Sequence, residues 1–138
     1  AEALGMKVNI YSRDKAAAIG SDVVSLSCPL TPENRGMVDA EFISQMKDGA
    51  ILINTARGGL IDETALADAL KSGKLAGAGL DVLAQEPPST DNPLVGIPNC
   101  YITPHIGFIP VETRRVVIET CEKNLEGFIE GVALNRLV

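Results

Sequence analysis

Short apolar runs alternate with amphipathic stretches along this chain. Ala50-Ile51-Leu52-Ile53 is apolar, rich in β-branched residues and bounded by Gly49, which predicts a buried strand. The same pattern predicts strands at Lys7–Tyr11 (KVNIY), Asp22–Ser27 (DVVSLS), Gly77–Val82 (GAGLDV) and Cys100–Thr103 (CYIT). Helices are expected between them. One covers Ala40–Met46. Another starts at Asp62 as N-cap, puts Ala65, Leu66, Ala69 and Leu70 on one face and stops at Gly73. A long last helix runs from about Pro110 to Glu130, with Val117, Cys121, Leu125, Phe128 and Ile129 as its apolar stripe and Gly131 as its stop. Ala1–Leu4 reads as the last turn of a helix closed by Gly5. Strands alternating with helices imply a parallel α/β sheet with crossovers.

One connection breaks this rhythm. Only the ten residues Ser12–Ser21 separate KVNIY from DVVSLS. A parallel crossover takes a dozen or more residues and a helix, and Lys15–Ala18 is a short helical run. The spacing predicts either an unusual connection or a physical break in the chain between Arg13 and Gly20, hidden by consecutive numbering.

Composition narrows the class. The chain has 138 residues, 46% hydrophobic and 22% charged, which suits one soluble globular domain. With 12 basic against 18 acidic residues the net charge is −6, and no basic patch interleaves with aromatics, so no nucleic-acid partner is expected. No apolar run reaches the roughly 18 residues of a membrane span, and the N-terminus shows no signal peptide. Cys28, Cys100 and Cys121 are odd in number, far apart and set among apolar residues. They read as buried reduced thiols of a cytoplasmic protein.

Candidate chemistry gathers just past the strands, where open α/β sheets bind ligands. Arg57 follows the Ala50 strand on a Gly58-Gly59 turn, and a guanidinium grips a carboxylate with two parallel hydrogen bonds. His105, the one histidine, follows the CYIT strand, and Glu86 lies in the loop after GAGLDV. A histidine with a carboxylate partner exchanges protons near neutral pH. The plainer readings are a surface arginine, a structural histidine and an exposed loop acid. One histidine with scattered acids gives no metal-ligand spacing, and no serine-nucleophile elbow is present. Gly77-x-Gly79 does not open a helix and is no dinucleotide loop.

NTARGGLIDETAL, GLDVLAQEPP and TPHIG, in that order, closely resemble the D-isomer-specific 2-hydroxyacid dehydrogenases. The resemblance runs from Gly5 to Val138 and covers the second half of that family's nucleotide-binding domain. GLDVLAQEPPSTDNPL is most similar to the glycerate/hydroxypyruvate reductase branch. The resemblance implies a doubly wound, Rossmann-type sheet and a cofactor, NAD(P). It makes Arg57 the binder of the carboxylate and carbonyl of a small 2-keto or 2-hydroxy acid. It makes His105 the acid that protonates the carbonyl oxygen, and Glu86 the carboxylate that orients it. Cys28, Pro29, Thr55, Ala56, Asp81, His105 and Gly107 would line the cofactor together with Arg57, and Asn34 would reach the adenosine half. Ser12 stands where the family's ribose-binding acid belongs and Arg13 follows it, so NADP(H) is expected ahead of NAD(H). The intact enzyme would be a homodimer.

The departures are as informative. The family's first strand, its glycine-rich phosphate loop and its substrate domain have no counterpart in these residues, and neither does a strand and helix expected between Asp14 and Gly20. Residues 1–138 therefore read as a partial NAD(P)-binding domain, unable to hold a dinucleotide properly by itself. Phe108 stands where the family often has Ser, Ala or Trp. Two further readings stay open: a dinucleotide-sensing corepressor of the same fold, and an inert interaction fragment.

Overall fold

The structure, a computed structural model, describes residues 1–136. The chain divides into two compact units, Ala1–His105 and Ile106–Val138.

The first unit is a parallel four-stranded sheet in the order β1-β2-β3-β4. Its strands are β1 (Val23–Leu26), β2 (Ala50–Asn54), β3 (Leu75–Leu80) and β4 (Cys100–Ile102). Leu26, Asn54, Leu80 and Ile102 pair across the sheet in one row, so all four strands end at a common carboxyl edge. The helices of this unit are α1 (Lys15–Ile19), α2 (Ala40–Gln45) and α3 (Glu63–Ser72).

Local chemistry sets these boundaries. Asp62 Oδ1 accepts the backbone N–H groups of Thr64 and Ala65, satisfying two of the donors that every helix start leaves open. Gly73 at φ 78° ends α3 in a left-handed conformation suited to glycine. Asp39 caps α2 in the same way through Phe42 N–H. The apolar faces of α2 and α3 join alternate residues of β2 and β3 in one core that includes Phe42, Ile43, Leu52, Leu66, Leu70, Ala78 and Leu80. The opposite face of the sheet is open, with Ile51 40% and Tyr101 73% exposed.

Three expectations need correction. Lys7–Tyr11 is not a strand and pairs with none of the four. The reason is the short connection itself: ten residues cannot return the chain for a parallel pairing beside β1. Instead Asn9 Nδ2 donates to Ala17 O and Ser21 Oγ, and the Tyr11 ring packs 6.3 Å from that of Phe42. Secondly, the expected break between Arg13 and Gly20 is a continuous chain. Arg13 and Asp14 N–H both donate to Ile10 O, Asp14 caps α1, and Gly20 N–H returns to Ala16 O. Thirdly, the cysteines are free thiols but not buried ones: Cys28 and Cys100 are half-buried and Cys121 is exposed. Burial, and then the charge of Glu63, push the Cys100 thiol above its usual range.

In the second unit, α4 (Val111–Ile129) is the long helix expected, and Gly131 at φ 77° follows its end. Val132 N–H donates to Gly127 O, folding the tail back onto the helix. The apolar stripe is correctly placed along α4 but not covered: Val117, Leu125, Phe128 and Ile129 are all more than half exposed. Among the described residues no helix is long and apolar enough to cross a membrane.

Candidate active site

Several of the residues singled out in sequence follow directly on the strand ends at the row Leu26, Asn54, Leu80, Ile102. Cys28-Pro29 follows β1, Thr55-Ala56-Arg57 follows β2, Asp81 follows β3, and His105 follows β4.

The Arg57 turn is built on Asn54, to which the sequence pattern assigns no role of its own. Asn54 is wholly buried, and its side chain satisfies the turn from inside. Its Oδ1 accepts Ala56 N–H at 3.0 Å and its Nδ2 donates to Arg57 O at 2.9 Å. On the far side, Gly36 N–H donates to Gly59 O, and Val38 bridges Ile61. Arg57 itself is exposed. Its Nη1 donates to Ala56 O at 2.6 Å, and it makes no ion pair with any described residue. The signal that could have exposed Asn54 is an uncapped, strongly polar residue at the end of an apolar strand, where burial forces its amide to pair locally.

Gly58 ties this turn to the next loop. A Cβ there would stand 1.9 Å from Leu83 C and 2.1 Å from Leu83 O, so only glycine lets the two backbones touch. From that contact the chain runs on to Glu86. Glu86 Oε1 accepts Leu83 N–H at 2.9 Å, and Oε2 lies 2.7 Å from His105 Nδ1. First the His105 hydrogen bond and then that of Leu83 hold the Glu86 carboxyl below its ordinary value. An ionised carboxylate only accepts, so Nδ1 donates, and Nε2 becomes the nitrogen able to exchange a proton. His105 sits at φ 53°, a left-handed conformation uncommon outside glycine, with its N–H donating to Thr103 O.

Glu86 and His105 open on a cavity of about 380 Å³ that is also lined by Asp81, Leu83, Pro87, Pro88, Ile102, Thr103 and Pro104. Thr103 Oγ1 donates to Asp81 Oδ1 within it. Arg57, expected in the same cleft, is not among the lining residues; it stands at the neighbouring strand end. Asn34 uses its side chain inside its own loop, accepting Thr31 N–H and donating to Pro29 O. Ser12 and Arg13 are exposed on the turn before α1. Gly107 belongs to the second unit.

Comparison with known proteins gives one answer. Residues 1–107 match the family model described as D-isomer specific 2-hydroxyacid dehydrogenase, NAD binding domain. A hydroxypyruvate reductase of Blautia hydrogenotrophica is 47% identical over 150 residues, covering 98% of this chain and 47% of that protein. A glycerate dehydrogenase of Methylorubrum extorquens is 44% identical over 145 residues, covering 98% of this chain and 46% of its own length. Both matched lengths exceed 138, so these relatives carry residues with no counterpart here. The chain spans about half the length of these relatives. Among solved structures, the NAD-complexed D-isomer specific 2-hydroxyacid dehydrogenase of Lactobacillus delbrueckii superposes with a TM-score of 0.80 at 34% identity, over 87% of this chain and 41% of that one. Its Xanthobacter autotrophicus counterpart, in complex with NADPH and MES, gives 0.75 at 37%, over 88% of this chain and 49% of that one. The chain belongs to the D-isomer specific 2-hydroxyacid dehydrogenases and contains residues of their NAD-binding domain.

Proposed function

We propose that the intact protein reduces a small 2-keto acid, glyoxylate or hydroxypyruvate, at this carboxyl edge. The observation that carries the reading is the Glu86–His105 pair at 2.7 Å, opening on a ligand-sized cavity one strand end away from an exposed guanidinium that no described carboxylate pairs. Arg57 grips the substrate carboxylate bidentately and orients the keto group. His105 gives the proton from Nε2 to the carbonyl oxygen, while Glu86 fixes the ring and keeps the other nitrogen protonated.

The cavity also suits the cofactor. Its walls are mostly apolar, with the Asp81 carboxylate and the Thr103 hydroxyl as polar groups among them, the mixture that suits a nicotinamide ring bearing an amide. When bound, a nicotinamide supplies the hydride. Cys28, Pro29, Thr55 and Ala56 would line the rest of it. We assign NADP(H) ahead of NAD(H) on the family resemblance alone, which sets the uncharged Ser12 and the adjacent Arg13 where a ribose-binding acid belongs, although no strand precedes them here. Steady-state assays of the intact protein with glyoxylate and hydroxypyruvate test the reading. We expect turnover with at least one acid and a higher kcat/KM with NADPH. No turnover with either acid would remove the proposed reaction, and equal efficiency with both cofactors would remove the NADP(H) assignment.

A further inference from the structure

Glu86 stands on an exposed excursion between Leu83 and Asn92 that contains no helix or strand. One side chain spans that excursion. Glu63, the first residue of α3, accepts Ala84 N–H with Oε1 at 2.7 Å and Asn92 Nδ2 with Oε2 at 2.8 Å. The loop is thereby fastened on both sides of Glu86 to a helix whose Leu66 is wholly buried. The Asn92 amide has no freedom to turn over, because its Oδ1 accepts the N–H of buried Leu94 at 3.0 Å. Neither oxygen of Glu63 is directed at the dyad itself. Its two partners belong to the loop.

We propose that Glu63 is a positioning residue. By holding Ala84 and Asn92 together it sets where the Glu86 carboxylate stands against His105 Nδ1. The inference rests on reading Glu86–His105 as the proton-handling pair. A merely structural role also exists for Glu63, since an acid in the first turn of a helix complements its dipole. The two roles separate by donor-acceptor logic. In Glu63→Gln one bond of the bridge faces a second donor and is lost. In Asn92→Asp two carboxylates face each other. Combining Glu63→Gln with Asn92→Asp restores every pair. The new amide on α3 accepts from Ala84 N–H and donates to the new carboxylate on the loop, whose other oxygen accepts Leu94 N–H. The charge then sits on the loop and no longer at the helix start.

The experiment compares the intact wild-type protein with both single variants and the double variant, by kcat and KM for hydroxypyruvate and by the ¹⁵N and Nδ1-proton signals of His105, assigned with His105→Gln. Each single variant is expected to lower kcat about tenfold with KM changed less than about threefold, the size of one lost charged hydrogen bond. The Nδ1 proton signal should shift or broaden with it. The double variant should recover both to within about threefold of wild type, since its pairing is complete again. A double variant as impaired as the singles, or singles with unchanged kcat and an unchanged His105 signal, would overturn the positioning role. Should His105→Gln itself leave turnover intact, the reading of the dyad fails instead, and the His105 signal alone then decides whether Glu63 sets the pair.

Discussion

The turn that carries Arg57 and the loop that carries Glu86 meet at Gly58, yet they are held in opposite ways. The Arg57 turn is held from inside, by the amide of a fully buried Asn54 and by backbone pairing with Gly36–Val38. The Glu86 loop is held by carboxylates nearer the surface: half-buried Glu63, and Glu86, whose side chain is 37% exposed. A neutral buried brace is indifferent to pH and salt, whereas an exposed carboxylate weakens as salt rises and as pH falls. The group proposed to grip substrate therefore has the invariant support, and the group proposed to handle protons has the adjustable one.

The largest effect should come from forcing the two regions apart. Gly58→Ala places a methyl within 2.3 Å of three backbone atoms of Leu83 and Ala84, none of which can rotate away. Overpacking against fixed backbone costs about 3 kcal/mol. A fall in Tm on the order of 10 °C is expected in thermal unfolding of the intact protein. An unchanged Tm would show that the contact between turn and loop relaxes freely.

Removing the inner brace alone comes next. Asn54→Ala leaves Ala56 N–H and Arg57 O without their partner, at about 2 kcal/mol. In urea the midpoint should fall by the same amount at pH 5 and pH 8. A loss that varied with pH would contradict the account of Asn54 as a neutral support.

The outer brace should show the smaller, pH-dependent effect. The folded-state value of Glu86 lies below the ordinary 4.5. Its contribution is present above that value and disappears as pH falls through the lower, folded one. For so exposed a pair it is below about 1 kcal/mol. The stability difference between wild type and Glu86→Gln should therefore shrink between pH 5 and pH 3. A gap that widened on acidification would reverse the sign.

Sequence made the carboxyl edge legible because each strand there ends in a sharp change from apolar to polar residues, and each has neighbours to pair with. Alternation in KVNIY is equally clear. It failed because a strand is a property of two segments, and the ten residues after Tyr11 deny it a parallel partner. The α4 stripe was found at the right spacing, although amphipathicity does not say what covers it: Phe128 is 83% exposed. Motif resemblance pointed to Glu86 and His105. It could not reveal Asn54, whose importance lies in being buried, or Glu63, whose partners Ala84 and Asn92 are distant in sequence.

The central claim is that the Glu86–His105 pair delivers the proton at this edge. It is tested most directly by single-turnover reduction of hydroxypyruvate by the intact protein carrying His105→Gln, which fills similar space with an amide that cannot act as a general acid. The account predicts a rate of the chemical step lowered by about 10²- to 10⁴-fold, with substrate affinity within a few-fold of wild type because Arg57 is untouched. A chemical step as fast as that of the wild type would contradict it.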